Sequence, residues 1–172
     1  MNPKILLTSF TTWRAGQKSN ASDDLLIEIL QVNPFPQQLH FFRKIPVCFQ
    51  QAPEQAIAKL NVIQPDVIIC CGMAESRNKL TIESQAVHHQ ESLTTEVELN
   101  SLIAGLTMTE ISHDAGRFVC NWLYYSVLKY ICDRQLSSQC IFVHVPILTP
   151  ENVDQVVSDF LLMIQRLLQP DT

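Results

Sequence analysis

Three residues in this sequence could together break an amide bond: a cysteine, a histidine and a glutamate. Cys120 lies in Ser112-His113-Asp114-Ala115-Gly116-Arg117-Phe118-Val119-Cys120-Asn121, just ahead of the apolar run Trp122 to Ile131. Helix-start residues followed by that run place the thiol in the first turn of an amphipathic helix. Unpaired N–H groups and a partial positive charge at a helix start favour thiolate over thiol, and can later hold a developing oxyanion. A cysteine nucleophile also needs a base, and the base needs a third group to orient it. His144 is the best-placed base. It lies at the C-terminal end of the run Cys140 to Val145, which Pro146 closes, and ligands bind at that edge of a parallel sheet. Glu83, in Thr81-Ile82-Glu83-Ser84, follows a loop that leaves another strand and is the candidate orienting acid. Each has a plainer reading when taken alone: an inert core thiol, a hydrogen-bonded strand-end imidazole and a solvated strand carboxylate.

The elements that must position these residues alternate between strand and helix. Lys4 to Phe10 reads as a buried strand, followed by a polar loop to Ser22 that carries Trp13, Arg14 and Gly16. Ser22 then reads as the N-cap of a helix over Asp23 to Val32, stopped by Pro34 and Pro36. Gln38 to Phe49 alternates loosely as a strand broken near Pro46, and Pro53 suits the first turn of a helix reaching about Val62. Val67 to Cys71 is apolar throughout, as expected of a strand buried on both faces, and Gly72 is expected to end it. Met73 to Lys79 reads as loop, Leu80 to Val87 as an outlying strand or hairpin arm, and His88 to Glu98 as weakly structured. Leu99 to Thr107 fits either a short helix or a strand. Arg117 to Cys132 is a helix by spacing, with Phe118 and Cys120 placed on its apolar face. Cys140 to Val145 is a strand, and Thr149 and Pro150 open a last helix reaching about Leu168. The pattern predicts one domain over residues 1–172, an α/β fold of three layers (α/β/α) with a mostly parallel central sheet.

Composition excludes several other functions. With 172 residues, 47% hydrophobic and 17% charged, the chain suits a single globular domain, and the low charge hints at surface shared between subunits. A formal net charge of −5 with no basic stripe argues against nucleic acid. No apolar stretch approaches the roughly 20 residues of a membrane span, and the start lacks the pattern of a secretion signal, so a cytoplasmic protein is expected. The six cysteines form no CxxC pair, and Cys70 and Cys71, adjacent in a strand, point to opposite faces, which argues against a metal or redox centre. His88-His89 reads as a solvated loop pair and no metal site is expected.

Together the motifs resemble the pyroglutamyl-peptidase I, or pyrrolidone-carboxylate peptidase, family of cysteine peptidases. SHDAGRFVCN (112–121) is similar to its S-x-x-A-G-x-[YF]-V-C-N nucleophile motif, and Phe142-Val143-His144-Val145-Pro146 to its histidine motif. Gly72 to Arg77, continued to Glu83, keeps the spacing of its G-Q-A-G-G-R-x-x-[IL]-x-x-E segment, while Phe10 and Trp13 fall where it has a G-F-x-P-F-G-G loop. The resemblance implies Cys120 as nucleophile, His144 as base and then acid, and Glu83 as the orienting acid. It also implies a pocket for the pyrrolidone ring lined by Phe10, Trp13, Phe118 and Val119, with the backbone at Met73 and the guanidinium of Arg77 as polar contacts or oxyanion support. Peptides with an N-terminal pyroglutamate would be the substrates, no cofactor would be needed, and a dimer or tetramer is possible. The chain departs from the family where Thr11 to Gly16 lacks paired glycines, where Glu75 and Ser76 replace two glycines, and where the segment between Glu83 and Cys120 is shortened. These changes touch substrate loops and subunit contacts. They leave a rival reading in which a binding or structural protein, or an amidase of other small-acyl specificity, keeps the three residues behind altered loops.

Overall fold

The computed structural model describes residues 2–169. In chain order its elements are β1 (Ile5–Phe10), α1 (Ala21–Val32), β2 (Leu39–Ile45), α2 (Gln51–Ile63), β3 (Val67–Met73), β4 (Leu80–Glu83), β5 (Gln85–His88) and β6 (Glu91–Thr94). They continue with α3 (Leu99–Ile103), β7 (Thr109–Ser112), α4 (Val119–Arg134), β8 (Gln139–Val145) and α5 (Val153–Leu167). Six strands form one sheet in the order β2-β1-β3-β8-β4-β7, and β5 and β6 form a separate hairpin. The four strands from β2 to β8 run parallel; β4 opposes β8, and β7 follows β4. The expected three-layer α/β class with a mostly parallel sheet is the architecture observed.

Strand periodicity divides the core into two. Ile5, Leu7, Ile69, Cys71, Ile141 and Val143 pack on one face under α1, α3 and α5. Leu6, Phe10, Ile68, Cys70, Cys140 and Phe142 pack on the other under α2 and α4. Cys70 and Cys71 accordingly belong to opposite layers, as their adjacency predicts. The chain leaves β1 for β2 on one side and returns through α2 to β3 on the other. The C-terminal ends of β1 and β3 therefore flank the crevice where such sheets bind ligands.

Several local expectations are corrected. Asn20, not Ser22, caps α1, its side chain accepting from the Ser22 N–H; the Ser22 hydroxyl instead accepts from the Phe10 N–H and ties the helix to β1. Gly72 does not end β3, because β8 supports the strand as far as Met73 opposite Val145. The expected strand over Leu80 to Val87 breaks at Ser84: β4 enters the main sheet, fully buried, and β5 turns into the hairpin. The segment read as weakly structured contributes β6, and β7 had no counterpart in the sequence reading. Leu99 begins a helix of five residues capped by the Glu98 carboxylate. α5 begins at Val153 rather than at Pro150, after a turn in which Asn152 Oδ1 accepts from the Thr149 N–H. His88 is not a free loop residue either; its ring lies 4.6 Å from that of Trp122 and 5.2 Å from that of Tyr125.

Candidate active site

Cys120 is the second residue of α4, whose start at Val119 leaves the first N–H groups of the helix without intrahelical acceptors. The opposite side of the site comes from the sheet. His144 is the sixth residue of β8 and pairs in register with Gly72 on β3 and Thr81 on β4. Paired residues point to the same face, so Gly72, Thr81, Glu83, Phe142 and His144 all face α4. Gly72 shows how near the helix comes. A Cβ placed there would lie 2.7 Å from Cys120 Sγ and 2.8 Å from Phe142 Cζ. Only a residue without a side chain lets the sulfur settle over the boundary between β3 and β8, at the strand position that pairs with His144.

His144 Nδ1 lies 2.7 Å from Glu83 Oε1. The histidine is nearly buried and the glutamate wholly so. Desolvation opposes ionisation of Glu83, yet hydrogen bonding by His144, with smaller contributions from Ser112 and the charge of Arg77, holds its carboxyl below the usual 4.5. Ser112 stands opposite Glu83 in the β4–β7 register, although its hydroxyl makes no well-formed bond to Oε2. An ionised carboxylate accepts only, so the proton of the neutral imidazole belongs on Nδ1, leaving Nε2 free to accept. Burial pushes the Cys120 thiol up to about 12, outweighing the backbone hydrogen bond that favours its anion. The resting sulfur is therefore a thiol rather than the preformed thiolate that a helix start alone would suggest.

The other expected residues divide into groups. Phe10 and Val119 are buried behind the crevice, while Phe118 is 50% exposed and packs edge-on against Phe49 with ring centroids 5.7 Å apart. This corrects its placement on the apolar face of the helix; as the residue before α4, it lies outside the helical spacing. Trp13 is part-exposed, and its backbone N–H donates to Gln17. The Met73 side chain turns to the opposite layer, where its sulfur accepts from the Ala21 N–H, so only its backbone faces the strand end. Arg77 is brought into contact with Glu83: Nη1 donates to Glu83 Oε1 at 2.6 Å and to the Thr81 hydroxyl, and Nη2 to the Asp114 carbonyl at 3.0 Å. Glu75 pairs with Arg14 at 3.3 Å instead of with Arg77, joining the two loops that differ most from the expected glycine-rich ones.

The sequence reading missed several supports. The Tyr124 hydroxyl donates to the Glu83 carbonyl at 3.0 Å and fixes the end of β4. Asn121 bonds both the N–H and the carbonyl of Val87, fastening β5 to the first turn of α4. Behind β1, Arg43 grips Asp23 with two hydrogen bonds of 2.8 and 2.9 Å, and Ser9 donates to the same carboxylate. Burial opposes ionisation of Asp23, but Arg43 and Ser9 hold its carboxyl below the usual 3.8. Thr81 lies two residues before Glu83 on the same strand face, the one such signal that the sequence displays. A cavity of about 900 Å3 lies between the hairpin and α4, lined by Trp122, His88, His113, Arg117 and Phe118 among others, but by neither Cys120 nor His144. Among the described residues no cluster of His, Cys, Asp or Glu could hold a metal ion.

The family model described as pyroglutamyl peptidase matches residues 3–104 and 94–160. The chain belongs to the pyroglutamyl peptidase family. It is thereby a peptidase by class. It is 28% identical over 138 residues to the pyrrolidone-carboxylate peptidase of Brachyspira hyodysenteriae, covering 65% of this chain and 69% of the relative. It is also 28% identical over 171 residues to that of Vibrio vulnificus, covering 84% of this chain and 79% of the relative. The fold matches the crystal structure of pyroglutamyl peptidase I from Bacillus amyloliquefaciens with a TM-score of 0.86 at 19% identity, covering 99% of this chain and 97% of that one. Among the described residues, no helix is long and apolar enough to cross a membrane.

Proposed function

We propose that this member of the family removes an N-terminal pyroglutamate from peptides, with Cys120 as nucleophile, His144 as general base and then acid, and Glu83 as the group that orients the imidazole. His144 Nε2 takes the thiol proton as the sulfur attacks the carbonyl that joins pyroglutamate to the next residue. The oxyanion is held by N–H groups at the start of α4. Collapse returns the proton to the departing amine and leaves a thioester on Cys120. His144 then removes a proton from water, the hydroxyl attacks the thioester, and pyroglutamate leaves as the thiol is restored. The steps need no cofactor.

A small uncharged lactam suits walls formed by Trp13 and Phe118, backed by Phe10 and Val119, with polar contact from the backbone at Met73. The observation that carries the reading is the 2.7 Å contact between His144 Nδ1 and Glu83, on the same sheet face that meets Cys120 Sγ at Gly72. A cytoplasmic location and a homo-oligomeric state belong to the same proposal. The test is release of fluorophore from pyroglutamyl-aminocoumarin by the wild type and by Cys120→Ala. Turnover lost in the variant supports the reading. No turnover by a wild type whose Cys120 still reacts with iodoacetamide would instead favour an altered pocket behind Trp13 and the Arg14–Glu75 pair.

A further inference from the structure

We propose that Arg77 is a positioning residue that locks Glu83 to the nucleophile loop and, by sharing the carboxylate with His144, sets the pH above which the imidazole acts as base. The inference rests on the catalytic reading above and gives Arg77 a role other than contact with substrate. One oxygen, Glu83 Oε1, accepts from both Arg77 Nη1 at 2.6 Å and His144 Nδ1 at 2.7 Å. The same guanidinium reaches the Thr81 hydroxyl on β4 and, through Nη2, the carbonyl of Asp114. Asp114 lies in the loop between β7 and α4, six residues before the nucleophile. A planar, forked cation thus spans the acid's strand and the nucleophile's loop, a geometry a point charge cannot reproduce. Three of the guanidinium's five N–H donors are thereby engaged with the protein itself.

The charge has its own consequence. Glu83 is wholly buried, and a lone carboxylate beside an imidazole there would favour the imidazolium and withhold the base. Arg77, with its side chain 25% exposed, offsets that field. Around the pair, β3 contributes Cys70 and α4 contributes Cys120 and Tyr124. β7 contributes Ser112, and the loop after it contributes His113, which bonds Ser84, and Asp114, whose carboxylate accepts from the Gly116 N–H. Among the described residues, Arg77 is the guanidinium that contacts Glu83.

The test compares Arg77→Gln and Arg77→Lys with the wild type by two readouts: the pH profile of pyroglutamyl-aminocoumarin hydrolysis, and iodoacetamide labelling of Cys120 against pH, resolved by peptide mass spectrometry. Arg77→Gln is expected to lower kcat by about 10–100-fold with KM nearly unchanged, the cost of a misplaced catalytic group. Its acid limb is expected to move to higher pH. Arg77→Lys keeps the limb and recovers part of the rate. Wild-type kcat in Arg77→Gln, a loss in KM alone, or equal displacement of the limb in both variants overturns the proposal. Should Arg77→Gln not fold, Arg77→Lys decides: a lowered kcat with an unmoved limb supports the proposal, and wild-type kcat overturns it. If the wild type hydrolyses nothing, the peptidase reading has failed separately. The labelling profile then decides: displacement in Arg77→Gln but not Arg77→Lys upholds the lock, and coincident profiles refute it.

Discussion

Replacing Gly72 by alanine tests the site at the point where sheet and helix meet. The added methyl group would sit 2.7 Å from Cys120 Sγ and 2.8 Å from Phe142 Cζ, where ordinary contacts begin at 3.4 Å. The sulfur must retreat by about 0.7 Å and the ring by about 0.6 Å, the shortfalls against that contact distance. Gly72 does not have a positive φ, so backbone strain is not part of the cost. Overpacking of this kind costs about 1–3 kcal/mol. In a chain of this length that lowers Tm by roughly 2–4 °C per kcal/mol. The larger effect falls on rate, because displacing a reacting atom by about 1 Å costs on the order of 100-fold. Thermal unfolding and kcat/KM on pyroglutamyl-aminocoumarin, measured together, separate the two effects. A Gly72→Ala protein with the wild-type Tm and a kcat/KM within about threefold of wild type would refute the placement of the sulfur over β3 and β8.

Two further predictions follow from the polar network. Glu83→Gln keeps the shape but presents an amide to the donors of His144 and Arg77, and kcat should fall by about 100- to 10,000-fold, as when the orienting acid of a catalytic triad is neutralised. Because the folded carboxyl is held below its usual 4.5, its ionisation stabilises the fold above that value. The stabilisation is lost as pH falls through the lowered one, so the gap in Tm between wild type and Glu83→Gln should shrink below about pH 4.5, and a constant gap would contradict the assignment. Asp23→Asn loosens the grip of Arg43 and Ser9 behind the end of β1 at Phe10 and the loop that carries Trp13, and should cost about 1–3 kcal/mol in unfolding free energy. It should also raise KM more than it lowers kcat, whereas a change in kcat alone would detach this network from the substrate loop.

The parts of the site legible in the sequence were those fixed by short-range chemistry. Cys120 is marked by helix-start residues and a following apolar run, and His144 by a buried strand closed by Pro146. β1, β2, β3, α2, α4 and β8 were readable because their apolar runs are long enough to express a period. β6 and β7 were not, since a four-residue strand acquires its identity from its partner; β7 exists because β4 is there to receive it. The break at Ser84 is of the same kind, set by the antiparallel pairing of β4 with β8. Asn20 and Ser22 are both capping residue types two positions apart, and the need of the Phe10 N–H for an acceptor assigns them their tasks. Arg77 was visible as a site residue, but long-range placement hid its contacts, which join Glu83 to the loop before Cys120. The position of Gly72 in its motif was visible, but its reason was not: the constraint lies in a sulfur atom 48 residues downstream.

The central claim is that the substrate passes through a thioester on Cys120. Acid quenching during turnover of a pyroglutamyl ester, followed by peptide mass spectrometry, tests it directly. One pyroglutamyl group is expected on the peptide carrying Cys120 in the wild type, and none in Cys120→Ala, which also releases no product. Product release by Cys120→Ala at the wild-type rate, with Cys120 unmodified in the active wild-type enzyme, would contradict it.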